Sequence, residues 1–447
     1  MTSTSGRGAL SWIEIVRLGL VQAALGSIVV LTTSTLNRVM VVELTLPAML
    51  PGALVGLHYA VQLSRPRWGH GSDTGGARTP WIIAGMAVLA AGGVLAALAT
   101  AWVASAPIAG IVLAVFAFLL IGGGVGAAGT SLLALLATDV APERRAPAAS
   151  ITWIMMIFGF AVTAGLAGGQ LDPYSHARLV AVVAAVCAIA FLLCVAALWG
   201  VERKTRMTSQ AAGSALAAGG GFLPALKDVW REPKARVFTL FVFVSMLAYS
   251  SSDLILEPFT GTVFELSVGQ STQLAGMQHG GVLIGMIAVA VLGAKLAGRG
   301  FGRRQGWVIG GCVASSFALF ALAASSLAGP GWPLTPTVFV LGLSNGAFAV
   351  AAIGAMMGLA GADGGGREGV RIGLWGAAQA IAFGVGGFLG AAAIDAARAI
   401  FADAGIAFAI VFAAEAVLFL VAARLALDVE EHNPETHVTP SLAGGAP

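Results

Sequence analysis

Apolar residues gather in twelve long runs, at about residues 16–37, 47–64, 80–101, 107–136, 148–170, 178–200, 236–257, 272–296, 306–328, 335–360, 372–396 and 402–426. A spanning helix needs roughly 20 consecutive apolar residues, so the pattern predicts twelve of them, joined by short polar turns. The first run is the hardest to bound, because Thr32, Thr33, Ser34, Thr35 and Asn37 make its far end polar. The longest gap, Val201 to Ala235, follows the sixth run. It holds an Ala- and Gly-rich stretch, Gln210–Gly221, and then Phe222–Trp230, expected as a short interfacial helix with Trp230 at headgroup level. The organisation expected is a six-helix bundle over 1–200, a cytoplasmic linker over 201–235, a second six-helix bundle over 236–427, and a disordered polar tail over 428–447. Met1–Leu10 is small and polar without the order of a secretory leader, so the first run is expected to persist as a helix.

Composition agrees with lipid as the solvent. The 447 residues are 58% hydrophobic and 10% charged, with a mean hydropathy of +0.90, whereas soluble chains carry about 25% charged residues. A pI near 9.0 invites a nucleic-acid reading, but the basic residues sit in short loops and report topology instead. With both termini in the cytoplasm, 21 of the 24 Lys and Arg fall inside, and Arg38, Arg178 and Arg398 fall outside. An odd number of spans would scramble that alternation. Cys187, Cys194 and Cys312 all lie within apolar runs, which implies packing rather than a disulfide framework.

The turn after the second run reads Gly69-x3-Asp73-x2-Gly76-x-Arg78. Glycines let two helix ends approach, Asp73 can cap a helix, and Arg78 can hold a carboxylate or carbonyls across the turn. The spacing resembles the loop between helices two and three of the major facilitator superfamily. Gly293 to Arg304 is a degraded echo, with Ala297 where the acid would stand. After the fourth run, Asp139-Val-Ala-Pro-Glu143-Arg144-Arg145 resembles the superfamily's acidic turn, and Asp363–Arg371 is its loose counterpart. Gly165/Gly169 and Gly386/Gly390 give runs five and eleven the same small-residue spacing. These echoes, each six helices apart, predict an all-α polytopic membrane protein built as two pseudo-symmetric bundles. In that role Gly69, Asp73, Gly76, Arg78, Asp139, Glu143 and Arg144 are hinge or gating candidates.

Polar groups inside spans are costly and therefore informative. Arg38 lies near the outer end of the first run, with Asn37 and Glu43 beside it. Asp253 and Glu257 share a face of the seventh. Helices one and seven meet at the centre of such a fold, so Arg38 is expected either to pair with Asp253 or Glu257 and close the outer side, or to leave each charge in interfacial water. His58, with Gln62 one turn on, can ligate a metal, including a pigment's magnesium, or hydrogen-bond a neighbouring helix. His279 holds roughly the symmetry-related place. Glu415, Gln379 and Asn345 are further cavity or packing candidates. The chain has no P-loop, HExxH or CxxC, which argues against a redox or hydrolytic enzyme; no catalytic or metal site is expected beyond the pigment question.

Longer phrases narrow the resemblance. Asn37-Arg-Val-Met-Val-Val-Glu-Leu-x-Leu-Pro-Ala48, Leu57-His-Tyr, Gln62, Arg65-Pro, Gly69-His-Gly-Ser-Asp-Thr, Arg78-Thr-Pro and Arg371-Ile-Gly-Leu-Trp-Gly-Ala-Ala-Gln379 resemble the PucC/LhaA family. The resemblance implies an assembly factor for light-harvesting antenna complexes in the bacterial inner (intracytoplasmic photosynthetic) membrane. It implies bacteriochlorophyll or a precursor as cargo, and antenna polypeptides, bacteriochlorophyll synthase and the membrane-insertion machinery as partners. Under it His58, Gln62 and His279 become pigment-contact candidates. Two other readings stay open: a secondary transporter of an amphipathic solute working by rocking of the halves, and a helix scaffold that binds only protein.

Overall fold

The twelve apolar runs become twelve helices. The computed structural model describes residues 10–65, 77–201, 227, 229–295, 304–361 and 368–431. The helices are α1 (Trp12–Glu43), α2 (Met49–Gln62), α3 (Thr79–Val103), α4 (Pro107–Asp139), α5 (Arg145–Leu171), α6 (His176–Leu198), α7 (Pro233–Val263), α8 (Val268–Lys295), α9 (Arg304–Ala328), α10 (Leu334–Gly361), α11 (Glu368–Ile400) and α12 (Ala404–Glu431). Eleven are long and apolar enough to cross a membrane; α2, at 14 residues, is the short one. The chain is a multi-pass membrane protein with the fold expected.

The repeat is visible in which helices touch. In the first half α1 packs on α5 and α6, α2 on α4, and α3 on α4 and α6; every one of these pairs recurs six helices later, from α7–α11 through α9–α12. Two chain reversals match as well. Thr45, after α1, and Glu265, after α7, both take a left-handed backbone (φ 53° and 54°), the conformation with which many helices end. The leucine that follows each one reaches back six residues: Leu46 N–H donates to Met40 O at 3.0 Å, and Leu266 N–H to Thr260 O at 3.2 Å. Buried apolar residues form one large cluster centred on each half, the first reaching across to Leu254, Val268 and Ala391 of the second, and the three cysteines are buried among them.

Several helices run past their apolar runs, α7 by six residues to Val263 and α1 and α12 by similar amounts. α1 continues through its polar stretch to Glu43, because Ser34, Thr35, Asn37 and Arg38 bond to groups of the second half instead of facing lipid; its turns at Leu31–Thr35 and Val39–Glu43 are π-helical. α12 runs on to Glu431, past Asp428 where the tail was expected to begin. An Arg424–Asp428 pair at 3.0 Å, one turn apart, favours that extra turn. Gly69, Asp73, Gly76, Ala297, Asp363 and residues 432–447 lie outside the described residues. Of Phe222–Trp230, only Lys227, Val229 and Trp230 are described, in helical conformation with Trp230 exposed.

Candidate functional site

Three seams join the halves: α1 on α7, α2 on α11, and α5 on α8. The hydrogen bonds across them gather at the end carrying the α1–α2 and α7–α8 loops, called outer here after the Lys/Arg count. Across the α1–α7 seam Ser34 Oγ donates to Glu257 Oε1 and Asn37 Nδ2 to Leu254 O, both at 2.6 Å, while within the second half Thr272 Oγ1 donates to Glu257 Oε2 at 3.1 Å. Arg38 does not pair with Asp253 or Glu257 as expected. Its Nη1 donates to Glu43 Oε1 and its Nη2 to Leu266 O, both at 2.6 Å. A π-helical turn puts residues five apart on one side, which brings Glu43 back over Arg38, while the hydroxyls already satisfy Glu257. Nor do these charges sit in interfacial water, since Arg38 is 2% exposed and Glu257 1%. Gly261 makes the room: a Cβ there would lie 3.0 Å from Arg38 Nη2.

The other two seams each carry a carboxylate that caps a helix of the opposite half. Asp395 on α11 accepts from the backbone N–H of Ala48 and Met49 at 2.9 and 2.7 Å, at the start of α2, which has no side-chain cap of its own. Asp172, after α5, accepts from Gly269 N–H at 3.1 Å and Ser267 Oγ at 2.5 Å, at the start of α8. The two caps are related by the repeat, and each holds a negative charge at a positive helix end. Close backbone approach reinforces the α5–α8 seam: a Cβ on Gly276 would meet Gly165 N at 2.8 Å, and one on Gly168 would meet Gln273 N at 2.8 Å. Gly386 and Gly390 instead admit Leu247 and Ser251 of α7, within the second half. At the rim, burial and the nearby Glu43 carboxylate push the Tyr174 phenol up to about 12, so it remains a neutral partner of His176 Nδ1, at 2.9 Å.

Deeper between the halves lies an aromatic and polar cluster. Phe383 of α11 contacts both Tyr59 of α2 and Tyr249 of α7, with ring centroids 5.4 and 5.8 Å apart. Asp253 is within electrostatic reach of Tyr59, Tyr249 and His279 and accepts from Gln278 Nε2 at 3.4 Å. His279 packs edge-on against Phe160 of α5 at 5.1 Å, and its Nδ1 has no hydrogen-bond partner. Tyr59 also lines a groove of about 380 Å³ along the α2–α11 seam, walled by Ala53, Gly56, Ala60 and Leu63 on one side and Ala380, Ile381, Gly384, Val385 and Phe388 on the other. Ala53, Ala60, Leu63, Ile381 and Val385 are exposed, so the groove opens sideways, toward the bilayer.

His58 is placed differently from His279. Its backbone packs on Gly122 of α4 inside the first half, and its Nε2 lies 2.9 Å from Gln62 Nε2, whose Oε1 takes a bond from Arg65. Only Nδ1 lacks a partner, and the ring is buried. Asp253, expected as the alternative partner of Arg38, sits one turn deeper than Glu257 and belongs to the central cluster. Arg78 bridges the start of α3 to the end of α4, donating to Ala134 O at 2.9 Å and to Thr138 Oγ1, while Thr138 Oγ1 donates to Asp139 Oδ1 at 2.8 Å. Glu143 and Arg144 lie in the turn Pro142–Arg144, where the Arg144 guanidinium stacks over Trp12 at 5.3 Å. Glu415 is buried and receives Ser251 Oγ, Asn345 accepts from Ser315 at 2.7 Å, and Gln379 Nε2 lies 3.8 Å from Met246 Sδ. The sequence offered one overlooked signal for the central cluster: the chain has three tyrosines, and two of them meet there.

A family model described as PUCC protein matches residues 35–433. The "Bacteriochlorophyll synthase 44.5 kDa chain" of Rhodobacter capsulatus is 53% identical over 97% of this chain and 99% of its own. "Protein PucC" of Cereibacter sphaeroides is 31% identical over 83% of this chain and 81% of its own. Among solved structures, a bacterial homolog of the human lysosomal transporter Spinster, inward-facing and unoccupied, superposes with a TM-score of 0.67 at 16% identity, covering 97% of this chain and 100% of that one. That likeness shows the fold alone.

Proposed function

This chain belongs to the PucC family, and from that premise we propose that it is a membrane-embedded assembly factor for bacterial light-harvesting antenna complexes, one that carries bacteriochlorophyll or a precursor to antenna polypeptides. The observation that carries the reading is the lateral groove: apolar, open toward the bilayer and ending on the aromatic cluster. Such a groove suits a large apolar cargo entering from lipid, and small-ligand sites of roughly 300–1,000 Å³ are usual. A path for polar solutes would need more charge between the halves. The name of the Rhodobacter capsulatus relative suggests a place beside bacteriochlorophyll synthase. In this reading the chain receives or hands over pigment and performs no catalysis, and antenna polypeptides and the insertion machinery dock on its lipid-facing surface. It works in the intracytoplasmic photosynthetic membrane with both termini in the cytoplasm.

The test is purification of the full chain in mild detergent from pigment-making cells, with its absorbance spectrum and its co-purifying polypeptides recorded. Bound bacteriochlorophyll together with antenna subunits supports the reading. Colourless protein without antenna subunits overturns it. A rocking transporter of an amphipathic solute is the second reading. It is favoured by the bonds and caps at the outer end, an arrangement that can open and close, but it draws only weak support from a fold shared at 16% identity.

A further inference from the structure

Among the described residues, the Glu257 side chain is held by hydroxyl groups alone. Ser34 and Thr272 donate to its two oxygens, and Thr35 Oγ1 lies 3.2 Å from Thr272 Oγ1. All four side chains are buried, and they come from three helices, α1, α7 and α8. Hydroxyls satisfy a carboxylate's lone pairs but leave its charge uncancelled, and charges inside a membrane are almost always paired. No basic side chain among the described residues bonds to Glu257. Arg38, one turn nearer the outer rim, is within its electrostatic reach but directs its two Nη atoms to Glu43 and Leu266 O. Asp253 adds a second carboxylate within reach. His279 on α8 lies near Asp253, Glu415 on α12 takes Ser251, and Asp395 on α11 caps α2. With Glu43 matching Arg38, two acids remain for which the seam supplies no lysine or arginine.

The donor set selects the cation that fits. One carboxylate and three hydroxyls are hard oxygen donors, unlike the thiolates and imidazoles that softer metals seek. A single negative charge in a dry site suits neither Ca²⁺, which takes six to eight oxygens, nor Mg²⁺, which keeps several waters. A small monovalent ion is left, and oxygens 2.6, 3.1 and 3.2 Å apart make a cage more compact than K⁺ requires. The π-helical turn Leu31–Thr35 carries both α1 donors. Such a turn breaks the regular backbone ladder, and breaks of this kind in membrane helices supply carbonyl oxygens to Na⁺.

We propose that Ser34, Thr35, Glu257 and Thr272 form a sodium site joining α1, α7 and α8 at the outer end. The hydroxyls turn their lone pairs toward the ion, and Glu257 supplies the balancing charge. Coordination then replaces hydrogen bonds across the seam, so Na⁺ holds the outer side shut. The site lies apart from the α2–α11 groove and works whatever the groove carries.

The test is thermal melting of the full-length protein in detergent, titrated with NaCl, KCl or choline chloride at constant ionic strength and at several pH values. The expected result is a rise in melting temperature that saturates with Na⁺, is smaller with K⁺ and is absent with choline. Half-saturation should need more Na⁺ as pH falls, because a proton competes for Glu257. Glu257→Gln, which keeps the size and one acceptor oxygen, should abolish the effect. Ser34→Ala and Thr35→Val should each raise the half-saturating Na⁺ concentration at least about tenfold, and they carry the test should Glu257→Gln fail to fold. Thr33→Val, on the same turn but bonded within α1, should leave it unchanged. A Na⁺ effect that survives Glu257→Gln, that Thr33→Val weakens as much as Thr35→Val does, or that choline reproduces would overturn the proposal. So would a melting temperature that follows pH and ignores Na⁺, which would make Glu257 a proton site, or no response to any of these ions.

Discussion

Glu257 ties the halves together at the outer end, and its removal has a calculable effect. Its carboxylate accepts from Ser34 of α1 at 2.6 Å and from Thr272 of α8 at 3.1 Å, all three groups being buried. Interhelical hydrogen bonds in membranes contribute about 0.6 kcal/mol on average and up to ~1.7, so two of them are worth about 1–3 kcal/mol. Glu257→Leu keeps the volume and removes both. Thr272 retains Thr35 as a partner at 3.2 Å, whereas Ser34 loses the only partner the structure gives it, at a cost of about 1–3 kcal/mol for a buried orphan. The single variant should therefore lose about 2–6 kcal/mol in total, by the same two terms. Adding Ser34→Ala removes the orphan, and the double variant should recover a measurable part of the loss. Thermal unfolding in detergent, run as a double-mutant cycle, reads the coupling directly. If Ser34→Ala and Glu257→Leu simply add, the latch described here does not exist.

The caps across the seams make a second prediction: Asp172→Ala and Asp395→Ala should each lower stability by about 0.5–2 kcal/mol and add when combined, since they lie on different seams, as thermal melts would show. Gly168→Leu should pry α5 from α8, because its Cβ already meets Gln273 N at 2.8 Å; a cysteine placed at position 273 should then label faster from the outer side. His58→Phe should lower the melting temperature through the orphaned Gln62 and leave any bound pigment in place. Pigment lost without loss of stability would make His58 a ligand after all.

Much of the fold was legible because lipid imposes a strong pattern: length and apolarity alone locate eleven of the twelve spans. The twelfth, α2, was legible as a run but ends short as a helix, and its start is set by Asp395, nearly 350 residues away in the chain. No local signal announces a cap supplied by another helix. The meeting of α1 and α7 follows from the paired-bundle fold that the repeats predict, but the pairing of Arg38 with Asp253 or Glu257 expected from it does not form. Residue type identified the charges as costly, while π-helical turns decided that Glu43 would face Arg38. Likewise, two histidines at similar places in the repeat looked equivalent, yet one turns into its own bundle and the other toward the opposite half. Helical phase fixes that difference, and the sequence spacing leaves it open.

Replacing Ala60 with photoreactive benzoylphenylalanine in pigment-making cells, and weighing the adduct after illumination, tests the cargo groove most directly. A parallel probe at Leu192, an exposed residue on α6, reports the surrounding lipid. The groove predicts bacteriochlorophyll or a precursor attached at position 60 and ordinary phospholipid at position 192. The same phospholipid adducts at both positions would contradict it.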